Sequence, residues 1–329
     1  MQLSVVIINF NTYQLTIDCI KSVQQSAVRL AYEVIVVDNA PKEDYREGLL
    51  QHFPDLVYLL SKENIGFGRA NNLGMEHAKG EYILLLNSDT IVKGDCLPKC
   101  LEFIQSMQGQ NVGMMGCKLL NDDGSHQHSF YPFVKNTVWN YFISNNPIMF
   151  RLFKVAEKYN KIDETKQVGD ISGAFMLLHR KVVDAVKGFD PDFFLYCEET
   201  EWCRDRINNQ FKIYYYPHAE TIHFGGKSAP REQMFIQSKL SLSLVWYKKG
   251  WLSYIGYILL TYLNVFYFWL TYPFTKGEST IANKRYRHCY AEVWPYLFNQ
   301  VIKYPRGYNS RKEPLVYEGA REIFFGKKS

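Results

Sequence analysis

Residues 82–90 read YILLLNSDT: a tyrosine, an isoleucine and three leucines run straight into Asn87-Ser88-Asp89. A run this short and this apolar suits a strand buried on both faces. Such a strand gains nothing from a charge at its end. Either Asp89 belongs to an ordinary turn, or it has work to do where the strand surfaces. Working outward, LSVVIINF (3–10), YEVIVVDNA (32–40) and LVYLLS (56–61) read as further buried strands. Between them, residues 14–26 place Leu15, Ile17, Ile20 and Val23 near one helical face, and 69–78 reads as a second helix. This β-α-β-α-β rhythm predicts an α/β fold with a mostly parallel central sheet flanked by helices. Ligands of such sheets bind outside the carboxyl ends of the strands. Asn9, Asn11, Asp38, Asn39, Asn87 and Asp89 all stand at those ends, so three strand ends converge on one crevice.

The rest of the chain is less regular. Residues 121–133 read as a loop or hairpin, and 137–166 as helical with an interruption at Pro147. Residues 170–183 read as a strand running into a helix. GFDPDFFLYCEETEWCRDRINNQF (188–211) sets Glu198, Glu199 and Glu201 at a helix start, and 212–228 reads as strand, turn and a second short strand near His223. A helix is expected over 231–248. Residues 250–275 then hold no charge, between Lys248-Lys249 and Lys276, with Lys284, Arg285 and Arg287 beyond.

The 329 residues are 47% apolar and 22% charged, enough for a large packed domain with an appendage and unlike a disordered chain. Charge is uneven. From Lys227 onward 16 basic residues face 6 acidic ones, whereas the first 226 residues carry 22 basic and 27 acidic. The division predicts two functional regions, the second facing something anionic. Seven cysteines form no paired C-x-x-C, which fits a reducing compartment. The N-terminus leads directly into a strand, with no basic segment or cleavage site, so no signal peptide is expected.

Taken singly, the motifs are ambiguous. Gly66-Phe67-Gly68 superficially resembles a dinucleotide fingerprint, but it does not follow the first strand and Asn71 stands where the third glycine belongs. A nicotinamide enzyme is therefore disfavoured. Asn87-Ser88-Asp89 could close a strand in an Asx turn, or Asp89 could hold a hard cation together with a bound diphosphate. Carboxylates at a helix start are stabilised by the helix dipole by roughly 0.3–1 kcal/mol each, yet crowding them also makes a better proton acceptor of one. His223 is a structural histidine or a metal ligand.

Their order and spacing say more. SVVIINFN, VIVVDN, NIGFGRANNLG, AKGEYILLLNSDT, SGAFMLLHRKV, GFDPDFFLYCEETEWCRD and YYPHAETIHFGGKS occur in sequence over about residues 3–228. In this the chain resembles the inverting glycosyltransferases of family 2, particularly their rhamnosyltransferase-like branch. The resemblance implies a GT-A fold, Rossmann-like, with a catalytic domain at 1–230 and a helical, aromatic-rich, basic extension at 231–329. It implies that Asn9, Phe10, Asn11 and Asp38 line the base and ribose of a nucleotide-diphosphate sugar. Asn64, Gly66 and Asn71 would border the nucleotide and donor sugar. Asn87-Ser88-Asp89 occupies the family's DxD position, with Asn for the first acid, which leaves Asp89 as the metal ligand. His223 matches a histidine that can complete the site for a divalent metal, Mg²⁺ or Mn²⁺. Glu198-Glu199 stands where relatives usually carry Glu-Asp, and Glu199 is preferred over Glu198 as the base.

The implied donor is a dTDP- or UDP-sugar, and the acceptor a glycan or lipid-linked glycan in surface polysaccharide synthesis. For 250–275 the aromatic content and flanking lysines favour attachment at a membrane surface, ahead of soluble packing and ahead of a true span. That predicts a cytoplasmic enzyme peripheral to the inner face of the cell membrane. A sugar-nucleotide pyrophosphorylase would need a glycine- and basic-rich loop where Asn9-Phe10-Asn11-Thr12 stands. A degenerate, membrane-associated scaffold is opposed by the intact Asp89, Glu198/Glu199 and His223. No motif for reading nucleic acid is present.

Overall fold

The computed structural model describes residues 1–132, 137–145, 147–154, 162–225 and 231–271, with the isolated positions 316, 322 and 325. The lysine and arginine cluster at 284–287 and the Gly226 and Ser228 positions lie outside the described residues. The chain forms two compact units, one of 1–133, 161–190 and 198–228, the other of 134–160, 191–197 and 229–329. The second unit thus combines the C-terminal region with two earlier stretches.

The first unit begins as a repeating strand-helix pattern: β1 Leu3–Asn9, α1 Tyr13–Ser26, β2 Tyr32–Asn39, α2 Arg46–His52, β3 Val57–Ser61, α3 Phe67–His77 and β4 Tyr82–Asn87. Then follow β5 Thr90–Val92, α4 Cys96–Ser106, β6 Val112–Leu120, β7 His126–Gln127 and β8 Phe130–Pro132. Helices α5 Val138–Asn145 and α6 Pro147–Leu152 belong to the second unit. The chain re-enters the first unit with β9 Lys166–Ile171, β10 Phe175–His179, α7 Arg180–Val186, α8 Glu198–Glu201 and β11 Lys212–His223, and closes in the second with α9 Arg231–Lys248 and α10 Trp251–Thr271.

One sheet runs through the first unit in the order β3-β2-β1-β4-β10-β6-β11-β9-β8. The strands β3, β2, β1 and β4 are parallel, as their unbroken apolar runs predict. Alternate side chains divide between two cores. Val5, Ile7, Leu84 and Leu86 meet Ile17 and Ile20 of α1 and Leu97 and Leu101 of α4. Val6, Ile83 and Leu85 meet Met75 of α3 and Val182 of α7. Each such side chain stabilises the fold by about 1.5–3 kcal/mol when fully buried. Gly74 lets α3 settle onto β1, because a Cβ there would lie 2.3 Å from the Val6 side chain.

Beyond β4 the sheet is mixed. Strand β10 is antiparallel to both β4 and β6. Residues 170–183 make not one strand but two, with Ser172-Gly173-Ala174 turning between β9 and β10. The expected turn within 212–228 is instead one continuous strand with a register shift between Tyr216 and Glu220. Pro217 lies in that shift and has no N–H for a ladder, so a bulge suffices. The short β5 has no counterpart in the sequence reading. It pairs antiparallel with the end of β11, so that Thr90 faces His223.

In the second unit, Phe193, Phe194, Leu240, Leu244, Trp246, Tyr254 and Tyr257 form a core between α9, α10 and the loop before Glu198. Lys248 pairs with Asp192 there. Gly250, at φ 106°, makes the break between α9 and α10 in a conformation other residues seldom adopt.

Candidate active site

The carboxyl ends of β1, β2 and β4 form one polar cluster. Asn9 is fully buried at the end of β1, and its Nδ2 donates to Asp38 Oδ1 over 2.7 Å. Its Oδ1 accepts from the Thr12 amide and hydroxyl and from the Thr16 hydroxyl. Asp38 Oδ2 accepts from the Tyr58 hydroxyl over 2.6 Å. Burial pushes the Asp38 carboxyl above its ordinary range, against the lowering effect of Tyr58 and Asn9. Next to it Asn39 donates to Asn64 Oδ1, which also accepts from the Gly66 amide, and Asn39 Oδ1 accepts from the Ile65 amide. Two asparagines thereby hold the loop that enters α3. Gly66 sits at φ 85°, where a side chain would be strained. Helix α3 has no side-chain cap at its N-terminus. Asn71 donates to the Phe67 carbonyl. Asn11, itself at φ 57°, accepts from the Lys42 amide, and Phe10 is half-buried.

Asp89 follows β4. Ser88 Oγ lies 2.8 Å from Thr12 Oγ1 and ties the ends of β4 and β1 together. Because β5 pairs with the end of β11, His223 Nε2 comes 3.3 Å from Asp89 Oδ1 and 3.4 Å from Asn87 Nδ2. The Phe224 amide donates to the Asp89 carbonyl. Burial pushes the Asp89 carboxyl up, but His223 and the amides of Asp89 and Gly225 outweigh it, and the group ends below its usual range. The other ring nitrogen, Nδ1, is 2.6 Å from Gln127 Oε1. Gln127 Nε2 is committed to the His223 carbonyl and to Asn121 Oδ1, which leaves Oε1 as the acceptor and places a proton on Nδ1. Nε2 and a carboxylate oxygen then face each other as two electron-pair donors that a cation between them would satisfy. Two ligands of an octahedral ion with bonds of about 2.1 Å are about 3 Å apart. Asp89 and His223 therefore fit a divalent metal as a half-built site, oriented by Gln127 in the manner of an outer-shell partner. No group of three or more His, Cys, Asp or Glu side chains with metal-binding geometry occurs among the described residues.

The acidic pair is placed through α3. Asn72 accepts from the Phe189 amide and donates to the Phe189 carbonyl, which fastens the 188–190 loop to α3. A Cβ on Gly68 would meet Phe189 at 3.0 Å and the Glu198 Cβ at 3.7 Å. Tyr196 and Cys197, just before α8, both have positive φ, a local strain that shapes the entry to the acidic pair. Glu199 Oε2 is buried with no hydrogen-bond partner. Burial, with the nearby Asp170 charge adding to it, raises the Glu199 carboxyl to about 7. Asp170 is itself buried and receives a two-pronged hydrogen bond from Arg204 at 2.9 and 3.0 Å. Glu201 pairs with Arg206 and is engaged structurally.

The structure thus gathers Asn9, Asp38 and Ser88, Asn64 and Gly66, and Asp89 and His223 in three hydrogen-bonded groups joined through consecutive residues, and brings Glu198 against Gly68. Asn11 and Asn71 bond only to backbone. Sequence reading missed Thr12, Tyr58, Asn72, Gln127, Asp170 and Arg204. The Asn71-Asn72 doublet and the buried-strand aspartate at 170 were visible, but their partners lie far away in sequence.

Comparison with known proteins identifies the family and the fold. The family model described as glycosyl transferase family 2 matches residues 4–187. Rhamnosyltransferase WbbL of Escherichia coli is 28% identical over 200 residues, covering 59% of this chain and 73% of the relative. The N-acetylglucosaminyl-diphospho-decaprenol L-rhamnosyltransferase of Mycobacterium tuberculosis is 24% identical over 222 residues, covering 60% and 68%. Among solved structures, a mannosyltransferase from Pyrobaculum calidifontis in complex with GDP-Man and Mn²⁺ shares the fold with a TM-score of 0.54 at 15% identity, over 92% of this chain and 86% of that one. The chain belongs to glycosyl transferase family 2, with the GT-A fold and with rhamnosyltransferases among its relatives.

Proposed function

We propose that the protein is a metal-dependent, inverting glycosyltransferase that moves a sugar, in the manner of a rhamnosyltransferase, from a dTDP- or UDP-sugar to a glycan or lipid-linked acceptor. The observation that carries the reading is the Asp89–His223 pair, a half-built cation site at the end of the parallel sheet, in a chain that also holds Glu199, whose carboxyl is raised to about 7 and whose Oε2 is buried without a hydrogen-bond partner.

Asn9, Phe10, Asn11 and Asp38 hold the base and ribose, and Tyr58 keeps the Asp38 carboxylate oriented. The amides of the uncapped first turn of α3, with Asn64, Gly66 and Asn71 around them, suit diphosphate oxygens. Asp89 and His223 hold Mg²⁺ or Mn²⁺, which when bound neutralises charge on the diphosphate. Asn87 and Ser88 steady that loop. The acceptor hydroxyl attacks the anomeric carbon opposite the diphosphate. As its oxygen bonds to that carbon, the bond from carbon to the diphosphate oxygen breaks with both electrons going to oxygen, and the hydroxyl proton passes to Glu199. A single displacement inverts the anomeric configuration. Glu198, buried against Gly68, supports Glu199. The reaction then runs on the cytoplasmic side, with the enzyme peripheral at the inner face of the membrane, a reading supported by the basic, aromatic-rich composition of the C-terminal region.

The test is release of nucleoside diphosphate from a panel of UDP-, dTDP- and GDP-sugars with Mn²⁺ or Mg²⁺, with and without chelator, beside Asp89→Ala. Release from one donor, lost with chelator and in the variant, is expected. No release and no metal-dependent nucleotide binding would instead point to a scaffold on a transferase fold.

A further inference from the structure

Helix α10 is apolar on the wrong side for a soluble protein. Its buried face carries Tyr254, Tyr257, Thr261 and Asn264, all at most 3% exposed. Its exposed face carries Leu252, Leu259, Leu263, Phe266 and Leu270, all at least half exposed. At about 100° per residue these five fall within roughly 60° of arc, opposite the buried set. A core helix of a water-soluble unit has the reverse polarity. The feature is not isolated. Thirteen of the 17 exposed large apolar side chains among the described residues lie in the second unit. On and after α6, Ile148, Leu152 and Phe153 are exposed around the exposed Arg151. Helix α5 reaches α10 where Val138 meets Gly256.

Two observations identify the occupant of this face. The composition suits an anionic surface, because the sequence from Lys227 onward carries 16 basic against 6 acidic residues. The stripe also has an exposed Trp at each end, Trp251 and Trp269, the residue type that settles at headgroup depth. The same geometry argues against a spanning helix. With 21 residues α10 is about 31 Å long and is the one helix among the described residues with the length and composition to cross. Yet its opposite face packs within the second unit at Tyr254, Tyr257, Ile258, Thr261 and Asn264, and a lone span needs lipid on every side.

We infer that α10 lies in the plane of an anionic bilayer, with Leu252, Leu259, Leu263, Phe266 and Leu270 sunk into the acyl boundary and the rest of the second unit above it. The inference deepens the membrane-surface part of the proposed function and is independent of the chemistry at Asp89 and Glu199.

The test uses the full chain with vesicles of phosphatidylcholine alone or with one quarter phosphatidylglycerol. Binding to the anionic vesicles is expected to be at least tenfold tighter, to weaken in 1 M salt, and to fall at least tenfold in Leu263→Glu/Phe266→Glu. Nitroxide labels placed singly at 252, 259, 266 and 270 in otherwise native protein are expected to report one shallow depth, about 5–10 Å below the headgroups. Labels at 259 and 266 lying far deeper than those at 252 and 270 mean a span and overturn the inference. So does the absence of vesicle binding together with a dimer, by gel filtration, that the double variant dissociates. Leu252→Glu, at the most exposed position, repeats the test should the double variant misfold. Nucleoside diphosphate release measured with a soluble acceptor separates the two readings: loss of vesicle binding leaves it intact, and failure of the catalytic reading leaves vesicle binding intact.

Discussion

Replacing Glu199 by Gln tests the base assignment by two independent routes. The carboxyl is raised from 4.5 to about 7, first by burial and then by the Asp170 charge. A shift of about 2.5 units corresponds to about 3 kcal/mol. The sign is as follows. Between pH 4.5 and 7 the folded protein holds a proton that the unfolded chain has released, so the stability due to this group falls as pH rises across that window and is level above it. Glutamine has no proton to lose. The stability difference between Glu199→Gln and the parent should therefore grow by up to about 3 kcal/mol in favour of the variant from pH 4 to pH 8. For a unit of this size that is about 6–12 °C in Tm. In the transfer assay, kcat/KM of the parent should rise with pH to a plateau above about 7. The variant should lose about 10²–10⁴-fold at the plateau, together with that acidic limb. Thermal melts and pH–rate profiles from pH 4.5 to 8.5 measure both. A stability difference that does not change with pH would refute the electrostatic argument. An acidic limb that survives in Glu199→Gln but vanishes in Glu198→Gln would hand the role to Glu198.

Other changes separate the parts of the site. Gln127→Leu removes the acceptor from His223 Nδ1 and should weaken Mn²⁺ binding in the presence of UDP by about 10–100-fold, read by electron paramagnetic resonance, with Gln127→Glu restoring much of it. Arg204→Ala leaves the buried Asp170 carboxylate unpaired and should cost about 3–5 kcal/mol in urea unfolding. Tyr58→Phe takes one donor from the buried Asp38 carboxylate, which should cost about 1.5–3 kcal/mol and weaken nucleotide binding in calorimetry. Gly74→Ala pushes α3 off Val6 and should destabilise by about 1–3 kcal/mol in the same unfolding assay.

Local chemistry made half of the sheet readable. Continuous apolar runs of four or five residues, each followed by a polar residue, announced β1, β2 and β4 and the crevice at their ends, because the middle of a parallel strand covered on both faces favours apolar side chains at successive positions. The same logic failed past residue 90. There parallel and antiparallel pairings are mixed, and a three-residue β5 carries too little pattern to be seen. The bulge at Pro217 was read as a turn because a proline stops a ladder locally whether or not the strand resumes.

The sequence by itself therefore determined which residues stand at strand ends, the acidic segment at 198–201 and the order of motifs that marks the family. Tertiary structure alone decided which of these side chains meet. His223 reaches Asp89 because β5 pairs with β11. Gln127 reaches His223 across 96 positions of chain, and Asn72 holds Phe189 across 117. The Glu199 carboxyl rises to about 7 because folding buries it beside Asp170. Helix α10 likewise shows only its composition in the sequence, and packing decides that its polar face turns inward and its leucines outward. The physical reason is common to all of these. Periodicity and propensity act over a few neighbouring residues, whereas register, burial and charge pairing are set by segments that approach only when the whole sheet or helix cluster closes.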